Sequence, residues 1–461
     1  MTNVPSRKIE ELKSGFEGEV LLPGDAAYES ARRIWNAMID KHPALIARCA
    51  TTADVVRGVN FARDNGLLLA VRGGGHNIAG NAMCDDGIVI DLSPMKAAHV
   101  NPGMRRVTVE GGATLADLDA ATQAHGLATP VGINSTTGIA GLTLGGGFGW
   151  LSRKYGMTVD NLESAEVVTA AGEVVIASAT EHPDLFWALR GGGGNFGVVT
   201  RFEFRLHPVG PDVLSGLVVY PLSEAKGVLQ QYRAFIATAP EELSVWAILR
   251  QAPPLPFLPE KVHGTGIIAL ALIYAGEPKQ GEPLIEPLRT FATPLGEHVG
   301  VQLYVAWQQA FDPLLAFGAR NYWKSHNFSS LDDGLFDVAI EYSGRLPTPM
   351  CEIFFGAIGC ATTRPAPDAT AYAHRDALFV MNVHCRWEDP ADDKRCIAWS
   401  RDYFNATAPF ASSGVYVNFL TADEGDRVRA AYGPNYDRLA RVKRTYDPDN
   451  LFHMNQNIKP S

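Results

Sequence analysis

Three glycine clusters, at 73–75, 145–149 and 191–194, constrain the fold of this chain more than any other feature. Glycine loses more backbone freedom on folding than any other residue, so a run of it needs a structural reason. A tight turn is one. Close approach of the backbone to a ligand, with N–H groups turned toward it, is another. The 45 glycines have no repeat period, which sets collagen-like and low-complexity folds aside. Ile133, Ile139, Leu142, Leu144, Phe148 and Trp150 are interleaved with the middle cluster, a pattern foreign to flexible linkers.

At 461 residues the chain exceeds one ordinary core, so two domains are expected. Hydrophobic residues make up 46% and charged residues 20%, the range of a folded globular protein. The net charge of -10 leaves no excess of Lys and Arg to neutralise phosphates, so nucleic acid is not an expected partner. The opening MTNVPSRKIEELKSGF lacks an apolar stretch, and no apolar run reaches the ~20 residues of a membrane span. None of the six cysteines forms a CxxC pair. Free thiols and a cytoplasmic setting without membrane contact follow as expectations.

Along the chain, 28–47 predicts one amphipathic helix and ALIARCA a short strand. TTADVVRGVNFARDNG has a Thr cap and a closing glycine and predicts a helix. LLLAVRGG, GIVIDLS and RRVTVEGG read as strands, ATLADLDAATQAHG as a helix and ESAEVVTAAGEVVIAS as a hairpin. HPDLFWALRG predicts a short helix, and FGVVTRFEFRLHP a long alternating strand. Residues 211–410 hold apolar strands separated by helical stretches, which predicts an antiparallel sheet with helices on one face. The tail NYDRLARVKRTYDPDNLFHMNQNI predicts a helix, a turn at Asp447-Pro448 and a docked end.

VRGGGHNIAG at 71–80 brings a strand into three glycines and then His76. A loop histidine is ordinary, but an imidazole held rigidly against a ligand is also a nucleophile. TPVGINSTTGIAGLTLGGGFGWLSRKYG at 129–156 suits a loop wrapped around a flat, phosphate-bearing molecule. LRGGGGNFGVVTRFEF contains Gly192-x-Gly194-x-x-Gly197, a formal dinucleotide fingerprint. That fingerprint needs a strand before and a helix after; here the order is reversed, so nicotinamide binding is rejected. P-loop, HExxH and GxSxG motifs are absent, and no metal is expected.

Together these runs resemble the covalent-FAD enzymes of the vanillyl-alcohol oxidase superfamily. YGPNYDRLARVKRTYDPDNLFHMNQNI at 432–458 resembles the C-terminal signature of the berberine bridge enzyme-like branch, to which bacterial 6-hydroxynicotine oxidases and sugar oxidases are similar. The resemblance implies an α+β, two-domain fold. A PCMH-type FAD-binding domain would span 1–207 and be completed by 414–461. The substrate domain, 208–413, would face the flavin with its sheet. It implies an FAD-linked oxidase with FAD bonded at its 8α carbon to His76. It further implies cofactor contacts from Arg72, Gly73, Gly74, Gly75, Asn77, Gly80, Gly132, Asn134, Thr136, Thr137, Gly138, Gly141, Gly145, Gly146, Gly147, Trp150, Asn161, Gly197, Val199 and Asn455. Doubly linked relatives carry a Cys where Gly132-Ile133-Asn134 places Asn134, so a single link is expected. Thr137 falls where the family governs oxygen access; its Val-like shape favours an oxidase producing peroxide over a dehydrogenase.

Oxidising an alcohol by hydride transfer requires a base for the hydroxyl proton. The family's Y-x-N pattern implies Tyr416 as that base, with Asn418 beside it. Read as a strand, Tyr416 and Asn418 share one face. Tyrosine titrates near 10, so a cation is expected next to it; Arg320, Lys324 and Arg386 are the candidates. Tyr155, Tyr304, Trp307, Tyr322 and Trp323 are candidate pocket aromatics. His384 and Cys385 read as core strand residues. The expected substrate is a small molecule: an alcohol, a sugar hydroxyl, a secondary-metabolite carbon or a C–N bond. Oligomeric state is not legible.

Overall fold

The computed structural model describes residues 5–412 and 414–461. β1 (Glu19–Leu21), β2 (Leu45–Arg48), β3 (Leu69–Arg72) and β4 (Ile88–Asp91) form a sheet in the order β1-β2-β4-β3. β4 runs parallel to both β2 and β3. The helix Thr52–Asp64 makes the crossover, and its Thr51 cap accepts from the Asp54 N–H. β3 delivers the chain straight into Gly73–Gly75.

Residues 28–47 depart from the expected helix. Only Tyr28–Ala31 is helical, and the chain then runs through turns and irregular backbone into β2. Tertiary bonds override the periodicity. Trp35 Nε1 donates to Leu315 O at 2.8 Å, and Asn36 Nδ2 donates to Ile78 O and Asn321 O, both at 3.1 Å.

A second, antiparallel sheet contains β5 (Ala98–Asn101), β6 (Arg106–Glu110), β8 (Leu162–Val168), β9 (Val174–Ser178) and β10 (Val198–Arg205), in the order β5-β6-β10-β8-β9. A two-residue strand β7 (Leu127–Ala128) pairs with β11 (His207–Pro208) beside it. The glycine-rich segment 129–156 is not all loop: Ile139–Leu144 and Ser152–Tyr155 are short helices. The helix Pro183–Leu189 precedes the third cluster and β10 follows it, in the expected order.

The third sheet has seven antiparallel strands: β12 (Asp212–Pro221), β13 (Leu243–Gln251), β14 (Gly266–Tyr274), β15 (Gly296–Leu303), β16 (Arg320–Phe328), β17 (Glu352–Ala357) and β18 (Phe379–Trp387), in the order β15-β12-β14-β13-β17-β18-β16. Strand side chains alternate between faces. Val245, Ala247, Leu249, Ile353, Phe355, Met381 and Val383 face the helices Ala225–Thr238, Asp333–Ser343 and Asp393–Thr407 in one core. Trp246, Ile248, Phe354 and Val380 face the other way, toward Phe148, Trp150 and Tyr416. Helices thus cover one face, as the alternation predicts, and the opposite face is free to form a wall against the glycine loops.

The tail folds back onto the first half. The helix Tyr436–Tyr446 buries Leu439 and Ala440 among Phe186, Trp187 and Phe196. The fully buried Lys443 ammonium donates to Asp447 Oδ2 at 2.6 Å, Asn195 O at 2.7 Å and Phe452 O at 2.9 Å. Asp447 also accepts from the Leu451 and Phe452 N–H groups, which shapes the expected turn. Among the described residues no helix is long and apolar enough to cross a membrane, and all six cysteines are free.

Candidate active site

All three glycine-rich segments, the tail and the free face of the seven-stranded sheet line one cavity. Of the residues singled out in the sequence, Gly73, Gly74, Gly75, His76, Asn77, Gly132, Asn134, Thr137, Gly138, Gly141, Gly197, Val199, Tyr416, Asn418 and Asn455 line it. Gly74 and Gly138 press two loops together. A Cβ on Gly74 would stand 2.2 Å from the Gly138 nitrogen, and the reverse holds for Gly138.

The others stand behind this lining. Arg72 donates to Ala31 O, and Gly80 packs on Ile39. Gly145 leaves room for the Asn418 amide, which a Cβ there would meet at 2.2 Å. Gly146 packs against Tyr372. Trp150 lies 4.7 Å from Trp246 and 5.2 Å from Trp307, between ring centroids, in the core beneath the cavity. Asn161 ties its own loop, donating to Tyr155 O and Met157 O.

His76 is half-buried, with Trp35 stacked on it at 5.1 Å. Its Nε2 lies 3.0 Å from Thr136 Oγ1. Thr136 donates from that hydroxyl to Asn134 Oδ1 at 2.7 Å, and its backbone N–H donates to the same oxygen at 3.0 Å. A threonine hydroxyl has one hydrogen. Having given it to Asn134, Thr136 can only accept from His76, which fixes the Nε2–H tautomer and leaves the Nδ1 lone pair bare. Burial and the nearby Arg386 charge push the imidazole down to about 3, so it is neutral. Neutral, with one bare nitrogen, is the state of a nucleophile.

Seven rings in the cavity wall touch in a closed circuit, a collar. His384 meets Phe354 at 4.9 Å, Phe354 meets Trp246 at 5.4 Å, and Trp246 meets Phe148 at 6.0 Å. Phe148 meets Tyr416 at 4.9 Å, Tyr416 meets Phe419 at 4.8 Å, Phe419 meets Trp323 at 5.4 Å, and Trp323 returns to His384 at 4.6 Å. All seven line the cavity. Of the five aromatics named from sequence, only Trp323 is among them. Tyr155 stacks on His207, Tyr304 and Trp307 are buried in the core beneath, and Tyr322 donates to Asp423 at 2.6 Å.

Tyr416 and Asn418 come together, though not on a strand. Val417–Phe419 is a 3₁₀ turn. The Tyr416 hydroxyl accepts from Asn418 Nδ2 at 2.9 Å and from the Gly147 N–H at 3.0 Å. Gly147 has φ +73°, a left-handed conformation that aims its N–H at the phenol. The expected cation is not there: Arg320 pairs with Asp393, Lys324 with Asp423 and Glu424, and Arg386 donates to Ala316 O. Burial pushes the Tyr416 phenol up to about 12 against the two hydrogen bonds. It therefore keeps its proton near neutral pH and is a donor.

His384 is not the self-contained core histidine its strand suggests. One row of side chains crosses four adjacent strands in register: Arg250 opposite Glu352, Glu352 opposite His384, and His384 opposite Trp323. His384 Nδ1 is 2.9 Å from Glu352 Oε1, and Arg250 Nη1 is 2.6 Å from Glu352 Oε2. Burial alone would raise the Glu352 carboxyl; the Arg250 charge and the His384 bond outweigh it and hold it at about 2. Glu352 is thus a fixed carboxylate.

Residues 43–178 match the family described as FAD binding domain, and residues 415–459 the family described as berberine and berberine like. The chain is 32% identical to an FAD-linked oxidoreductase of Dictyostelium discoideum over 98% of this chain and 97% of the other. It is 31% identical to (R)-6-hydroxynicotine oxidase of Paenarthrobacter nicotinovorans, covering 96% of this chain and 97% of that one. The crystal structure of 6-hydroxy-D-nicotine oxidase from Arthrobacter nicotinovorans matches with a TM-score of 0.87 at 29% identity, over 97% and 98% of the two chains. The fold is that of a two-domain PCMH-type FAD enzyme. The chain belongs to the berberine bridge enzyme-like family of FAD-linked oxidoreductases.

The cavity fits that cofactor. Among the described residues, the backbone N–H groups of Gly74, Gly75, His76 and Asn77 donate to no protein acceptor, a run suited to phosphate oxygens. Gly141 and Gly194 line the cavity where a Cβ would project into open space. Asn455 Oδ1 is a buried acceptor in the wall with no donor.

Proposed function

We propose that this protein is an oxidase that holds FAD by a single covalent bond from His76 Nδ1 and oxidises a small molecule, passing the electrons to oxygen to give hydrogen peroxide. The observation that carries the covalent link is the Asn134–Thr136–His76 chain, which leaves Nδ1 bare in a neutral ring facing the cavity. Asn134 is itself an amide, so no second link forms. Gly74–Asn77 would hold the phosphates, and Asn455 Oδ1 would accept from the ring system. The FAD-binding part is assigned to 1–207 and 414–461, and the substrate part to 208–413.

Bound there, FAD supplies a two-electron hydride acceptor. The chain's residues do the rest. The collar excludes water and grips a flat substrate, which favours a ring-bearing alcohol or secondary metabolite over an oligosaccharide. Tyr416 donates its hydroxyl hydrogen into the collar, held by Gly147 and Asn418. Thr137 lines the cavity and, by the family resemblance, would govern oxygen access.

Acid precipitation of the purified protein tests this reading. Flavin absorbance stays with the pellet in the wild type and passes to the supernatant in His76→Ala. Flavin released by acid from the wild type refutes the covalent link. Peroxide detection during turnover in air tests the acceptor.

A further inference from the structure

Two rings of the collar carry polar atoms that suit proton transfer, His384 and Tyr416, and they stand apart: two rings separate them on one side and three on the other. Tyr416 has both lone pairs occupied by the Gly147 and Asn418 donors, so it has no free site to receive a proton.

His384 is built the opposite way. Glu352 is a carboxylate and accepts only, so the hydrogen between them belongs to His384 Nδ1. In the neutral imidazole the lone pair is then on Nε2, which bonds to no described residue. The ring is held between Trp323, stacked on it, and the edge of Phe354, and it is 4% exposed, in the cavity wall. Arg250 grips the far oxygen of Glu352, so the carboxylate cannot turn away. The register of four strands fixes the whole row.

We propose that His384 Nε2 is the proton acceptor for a ring-bearing substrate hydroxyl seated in the collar, with Glu352 as the positioning residue that sets its tautomer and Arg250 anchoring Glu352. The inference rests on the FAD reading above, which supplies the oxidant. The substrate O–H bond breaks and its proton goes to Nε2. The C–H bond breaks and its electron pair leaves with the hydride to FAD. A C=O bond forms, and the proton passes from His384 to solvent before the next turnover. A base so placed typically contributes about 10²–10⁴ in rate.

The test uses 4-nitrophenol, a single-ring hydroxyl whose ionised form has its own absorption band. It is titrated into flavin-loaded protein at a pH where the free probe is mainly neutral, and the difference spectrum is recorded. The wild type is expected to bind it as phenolate. His384→Asn should bind it with the phenolate fraction reduced at least about tenfold, as expected when the proton acceptor is gone. Glu352→Gln should reduce the band while leaving the flavin attached. If His384→Asn does not fold, judged by its flavin spectrum, His384→Gln takes its place. An undiminished band in the His384 variants overturns the assignment. Absence of probe binding overturns the seat itself. Acid-stable flavin is read separately on each sample, so failure of the cofactor reading is seen independently.

Discussion

His76 Nε2 and Thr136 Oγ1 are 3.0 Å apart, and because Thr136 spends its only hydroxyl hydrogen on Asn134, the bond runs from histidine to threonine. Thr136→Val removes the acceptor and frees the tautomer. One hydrogen bond is worth about 0.5–1.5 kcal/mol. Covalent attachment should slow roughly three- to tenfold, while Thr136→Ser stays near wild type. Acid-stable absorbance after mixing apoprotein with FAD gives both rates.

Tyr416→Phe should leave the flavin attached and lower turnover at least about tenfold, the range for losing one preorganised donor. It also strands the Gly147 N–H inside the protein, at a cost of about 1–3 kcal/mol. Steady-state kinetics and a melting curve separate the two effects. Wild-type turnover would remove Tyr416 from the reaction.

Asp119 gives a pH signature. Burial pushes its carboxyl up to about 7, opposed by the hydrogen bond from Gln308 Nε2 at 3.0 Å. In the unfolded chain an aspartate titrates near 3.9. From about pH 4 to about pH 7 the unfolded chain has lost this proton and the folded one retains it, so rising pH favours unfolding. The stabilisation is complete below about 4 and lost by about 7, amounting to about 4 kcal/mol at most. Asp119→Asn should remove this slope. Its stability relative to wild type should therefore be greater at pH 8 than at pH 4.5, as read from denaturant midpoints.

Asp447→Asn leaves the Lys443 ammonium buried without its counter-charge. Breaking such a pair costs about 3–5 kcal/mol. The melting temperature should fall by several degrees. Acid-stable flavin should fall with it, because Phe452, Met454, Asn455 and Gln456 line the cavity just beyond the clip. An unchanged flavin content would show that the tail docks without it.

Local features were legible and long-range ones were not. The glycine loops, His76 and the Tyr416-x-Asn418 pair stand in short motifs, so a reading of the chain finds them. The alternation in 243–251 and 352–357 announces a sheet with two faces. Residues 28–47 have helical periodicity, but Trp35 and Asn36 bond to residues 280 or more positions away, which no local pattern encodes. The collar draws single rings from 148, 246, 323, 354, 384, 416 and 419, and strand register alone sets His384 beside Glu352. A pairing shift of one residue would turn both away. Tyr416 was expected beside a cation because a base needs one; the structure supplies two neutral donors instead.

The cavity draws on residues from Trp35 to Gln456. Its floor, walls and closing edge therefore come from stretches synthesised far apart in time. A nascent chain still on the ribosome has the three glycine loops but cannot complete the pocket until the tail has emerged and Lys443 has reached Asn195. With FAD bound as proposed, a loaded chain would be one whose tail has already reached the glycine loops.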